Sequence, residues 1–99
     1  MTALGTAARL PGIELIEPGI EDAHAGRVTI GSCLVWIAMP KLTRAGLIGK
    51  NKAMPAIIDP ELTLYRLLQR EGGNAYGQYN ALLRRLVSFE HALRLPHAR

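Results

Sequence analysis

Ninety-nine residues suffice for one domain but bury only roughly two thirds of the unfolded chain's surface, so stability rests on close packing or on association. An apolar share of 48% excludes general disorder, and the single cysteine excludes an internal disulfide and a CxxC redox pair, as expected of a reducing cytoplasm. The net charge of +4 is uneven: residues 1–40 hold two cations against four carboxylates, and residues 41–99 hold ten against four. A basic C-terminal part is what a nucleic-acid binder shows, and it is equally a solvated face with an arginine excess.

Residues 1–12 read as a flexible N-terminal arm of a single domain spanning 1–99. Gly12 to Glu17 alternates apolar and charged residues but is too short to hold a sheet alone. A short helix is predicted from Pro18 to Ala25, with Glu21 and Asp22 in its first turn and an end near Gly26. Glu21-x-x-His24 is half of a di-iron ligand set, but no second Glu-x-x-His exists to complete it, since Glu90 and His91 are adjacent. No metal or other cofactor is expected.

Ile30-Gly-Ser-Cys33 has the residue types of a lipoprotein cleavage box, followed by seven apolar residues from Cys33 to Met39. A lipoprotein signal needs its apolar segment before the cysteine, and here the order is reversed. Seven residues are also far short of the roughly 20 that a membrane helix needs. The expected location is the cytoplasm, with no membrane contact. Ser32 is not in a GxSxG elbow, because positions 30 and 34 are Ile and Leu, and Cys33 reads as buried and inert.

Residues 28–39 suit either a buried strand or a buried helix. The row Val35, Met39, Leu42, Gly46 favours a helix over 32–46, capped by Ser32 and kinked or restarted at Pro40. A helix-turn-helix over Ile20 to Met39 fails because its second helix lacks polar side chains to read base edges. Gly46 to Pro55 reads as an exposed loop in which Lys50 and Lys52 either touch phosphate or stand in solvent.

Asp59-Pro-Glu opens the best-defined helix: a capping acid, a proline at the first helical position and an acid in the first turn. It is predicted to run to Glu71 with Leu64, Leu67 and Leu68 on one face and Tyr65 beside them, until Gly72-Gly73 stops it. Asn74 then caps a helix over 75–95 that Pro96 ends. Ala75, Tyr79, Leu82, Leu86, Phe89 and Leu93 recur at steps of 4, 3, 4, 3 and 4, the seam of helices that pair lengthwise. Leu83 and Val87 are expected to widen that face, and Glu90 to pair with Arg94.

The fold class is therefore mainly α: a small helical bundle with a C-terminal helical hairpin, about 59–71 and 75–95, completed by dimerisation. Tyr76, Tyr79, Leu82, Leu86, Phe89 and Leu93 are the candidate dimer or partner interface, with plain core packing as the alternative for the tyrosines. Lys50, Lys52, Arg66, Arg70, Arg84 and Arg85 are the candidate nucleic-acid contacts, of a backbone-binding rather than base-reading kind. No P-loop, GxGxxG or HExxH occurs, and His24, His91 and His97 have no ligand spacing with Cys33, so no catalytic residues are expected. The function expected is a non-enzymatic protein-interaction or adaptor module acting as a homodimer or with a protein partner. The alternative is a small nucleic-acid-associated regulator.

Overall fold

The first helix, α1 (Ile13–His24), is longer than the sequence reading allowed. Its computed structural model, which describes residues 12–48 and 54–94, shows Ile13, Ile16, Ile20 and Ala23 as one buried row at helical spacing. The apparent alternation at Gly12–Glu17 is the start of that row. Pro18 lies inside the helix on its exposed side, so the apolar row passes it by even though one backbone hydrogen bond is missing. Gly12 precedes the helix at φ 88° with its Cα pressed against α5 (Ala75–Arg94), where an added Cβ would lie 3.3 Å from the Arg85 carbonyl and the Phe89 Cβ. The helix ends as expected at Gly26, which takes φ 78°. The Gly26 N–H donates to the Ala23 carbonyl and the Arg27 N–H to that of Asp22, closing the last turn.

Of residues 28–39, the apolar run is helix and not strand: α2 runs Ile30–Ile37. Its cap is Thr29 rather than Ser32. The Ser32 N–H donates to Thr29 Oγ1 at 3.1 Å and the Thr29 N–H to Ser32 Oγ at 2.8 Å, a reciprocal cap three residues wide. Ala38 ends α2 and opens α3 (Met39–Arg44), with Pro40 in the first turn, so the proline restarts the helix. Gly46 at φ 80° closes α3 with the same pair of bonds that Gly26 makes after α1. The segment that follows is less exposed than expected: Ile48 is buried, and Leu47, Met54 and Ile57 pack against the core. Lys50 and Lys52 lie outside the described residues.

Helix α4 spans Pro60–Glu71, as the sequence predicts, but Asp59 makes no side-chain cap and sits at φ 51°, contributing only its carbonyl to the Thr63 N–H. Gly72 and Gly73, at φ 84° and 77°, stop it. Asn74 does cap α5, its Oδ1 accepting from the Gly77 N–H at 3.0 Å.

Among the described residues there are five helices and no strand. α2 is the hub. It is the most apolar element, and Cys33, Leu34 and Val35 are all 0% exposed between α1 and α4. α1 reaches it at a contact of two backbones, Gly19 on Gly31, where a Cβ on Gly19 would lie 2.3 Å from the Gly31 carbonyl oxygen. α4 packs more extensively on α2 than on α5, so the apolar face of α4 finds its cover within the chain. The rings of Tyr65 and Tyr79 meet edge to face at 5.7 Å between α4 and α5. The radius of gyration, 13.3 Å, is that of a single packed domain of this length.

Candidate interaction surface

The C-terminal stripe divides into a covered side and an open side. Leu86 and Phe89 are buried in the chain's own core, at 3% and 0% exposure, while Tyr79, Leu82 and Leu93 pack against it half-buried. Leu83 does widen this face, packing half-buried against the core with one edge on the outer groove, whereas Val87 points outward and is 60% exposed. Tyr76, expected beside Tyr79 on the seam, is 68% exposed. The outer side of α5 therefore carries Tyr76, Asn80, Leu83 and Val87 at steps of 4, 3 and 4. Asn80, Leu83, Arg84, Val87 and Ser88 line an open groove of about 460 Å³ along it.

The arginines are not gathered. Arg85 reaches across to Glu14 of α1, 71 residues away in sequence, and forms an ion pair there. Arg84, one residue earlier, lies instead on the outer groove. Arg66 is exposed on α4. Arg70 borders a second groove of about 560 Å³ between α1, α2 and α4, beside the carboxylates of Glu14, Asp22 and Glu71 and over an apolar wall that includes Leu15, Ile30 and Leu67. A smaller groove of about 320 Å³ joins α3 to α5, where Lys41 stands 3.7 Å from Glu90 and Arg44 is alongside. Glu90 thus has a partner from α3; the side chain of Arg94, its expected partner, is outside the described residues.

One polar network was not legible in advance. Asp22 accepts from Arg27 Nε at 2.9 Å and from the Thr29 hydroxyl at 2.8 Å, so it ties the end of α1 to the cap of α2. The Thr29 hydroxyl bond, then that of Arg27, holds the Asp22 carboxyl below its ordinary value. The sequence signal was there in the Thr29–Ser32 spacing, but the Asp22 partner depends on the turn at Gly26. Burial pushes the Cys33 thiol up, away from the thiolate form.

Among the described residues, no three or more of His, Cys, Asp and Glu come together as a metal-binding group, and Glu21 and His24 are both exposed at the end of α1. No described helix is long and apolar enough to cross a membrane. Comparison with family models, with curated proteins and with solved structures found no match to this chain.

Proposed function

We propose that this chain is a small, non-enzymatic, helical protein-interaction module whose working surface is the outer face of α5. The observation that carries this reading is the pair Tyr76 and Val87, each more than half exposed, with Leu83 between them on a groove. Apolar side chains lined up on one rigid helix are a common form of helix-in-groove recognition, and tyrosine is a favoured anchor in such contacts. The opposite side of α5 is anchored by Leu86 and Phe89, which supports a stiff presenting element. The seam read from sequence is largely taken up by the chain's own packing, and of the candidate interface residues Tyr76 is the one on the open side.

The nucleic-acid-associated reading draws on the net charge and on the exposed Arg66. It is weakened by the Glu14 partner of Arg85 and by the three carboxylates that share a groove with Arg70. Photocrosslinking tests the proposal directly. A photoreactive phenylalanine at Tyr76 should give a discrete protein adduct in cell extract, and the same group at the exposed Glu17 of α1 should not. Equal adducts from both positions would remove the special standing of α5. Anisotropy of a labelled random-sequence duplex at about 50 and 200 mM salt tests the alternative, since phosphate binding weakens steeply between those salts.

A further inference from the structure

We infer that the partner taken up by the outer face of α5 is an acidic amphipathic helix, an apolar stripe flanked by Glu or Asp. This rests on the interaction reading above and adds the chemistry of the partner. The groove supplies apolar contact through Leu83 and Val87, with Tyr76 one turn beyond Asn80, which is what the buried side of an amphipathic helix needs. Among the described residues its one charged side chain is Arg84. The only carboxylate of α5, Glu90, is turned to Lys41 with its side chain 14% exposed, so among the described residues no carboxylate of this groove balances Arg84.

That imbalance argues against a second copy of this chain as the occupant. In a two-fold pairing both sides contribute the same residues. In that pairing the copy brings a second Arg84 and, among the described groove residues, no acid, and like charges placed together across an interface are unfavourable. A nucleic acid satisfies Arg84 but leaves Tyr76, Leu83 and Val87 facing phosphate. An acidic helix satisfies both parts of the surface.

The test uses the full chain and a display library of amphipathic helices about 18 residues long, roughly five turns. The apolar positions are fixed, and the flanking positions are randomised between Glu and Lys. Selection should enrich Glu at the flanks. Replacing those Glu by Lys in a selected peptide should weaken binding about fivefold at low salt, the upper range for an exposed ion pair, and the difference should shrink in high salt. Arg84→Glu should reverse the preference, and Val87→Asp should weaken every selected peptide by at least about tenfold, as for an interface anchor. Both residues are exposed, so circular dichroism should show both variants folded.

Equal enrichment of Glu and Lys, with Val87→Asp still damaging, would overturn the acidic partner and leave the surface reading intact. Full binding by Val87→Asp, or no enrichment at all, would overturn both. A wild-type dimer in light scattering that Val87→Asp converts to monomer would assign the face to a second copy and overturn the inference. Competition by a random-sequence duplex that depends on Arg84 would assign it to nucleic acid, with the same result.

Discussion

Gly19 and Gly31 meet where α1 crosses α2; Gly19 leaves no room for a methyl group, and Gly31 only a tight fit. Gly19→Ala would gain slightly in helix propensity but would drive a Cβ against rigid backbone rather than a yielding side chain. It should cost about 2–3 kcal/mol, the upper part of the range for an overpacked core, and lower the melting temperature by roughly 10 °C or more. Urea unfolding followed by the fluorescence of Trp36, the only tryptophan, measures this. Asp22 gives a pH-dependent prediction. Its carboxyl is held below the ordinary 3.8 in the folded chain, so on acidification the unfolded chain takes up the proton first. The contribution of Asp22 is thus fully present above about pH 5, begins to fall near 3.8 and is gone below its folded value. Between pH 5 and 3 the wild type should lose more stability than Asp22→Asn, and parallel curves would contradict the role given to Asp22.

At the scale of the element, α5 separates two apolar stripes that sequence periodicity merges. A 20-residue helix with apolar residues at 79, 82, 83, 86, 87, 89 and 93 presents a band wider than one neighbouring helix covers, and the spacing does not say which edge is left over. The structure buries the Leu86–Phe89 edge and leaves out the Val87 edge. Phe89→Ala should therefore cost about 3–5 kcal/mol, a large share of the stability of a domain this size. Val87→Asp should stay within about 0.5 kcal/mol of the wild type, as surface changes do. If the two variants unfold at similar urea concentrations, the assignment of inner and outer stripes fails. Helix ends were more legible than helix faces. Gly26 and Gly72-Gly73 mark their stops because a left-handed residue is needed there. Asp59 has the right residue type for a cap but not the bond.

At the scale of the whole molecule, α2 has no polar side to spare. Cys33 sits in the middle of it at 0% exposure, with burial pushing its thiol up, so it reports on global opening. A thiol reagent in excess should leave the native protein unlabelled and modify one cysteine per chain once urea unfolds it. Rapid labelling of the folded protein would show that α1 and α4 do not close over α2. A chain whose hub is a short central helix, rather than its C-terminal pair of helices, should lose its fold in one step, and single-transition unfolding by Trp36 fluorescence and circular dichroism would agree with that.

Local chemistry determined, from sequence alone, the helical class, the α4 and α5 spans, the glycine stops, the Asn74 cap and the burial of Cys33. Each depends on residues within a few positions of one another, where propensity, capping and turn geometry act directly. The tertiary structure decided the rest: that α1 begins at Ile13 and runs through Pro18, that Ile48 is buried, that Arg85 is bound to Glu14, and that Tyr76 and Val87 face outward. These are contacts between elements far apart along the chain. A periodic pattern specifies that a face is apolar, but only the packing of the other helices determines which part of it stays open to a partner.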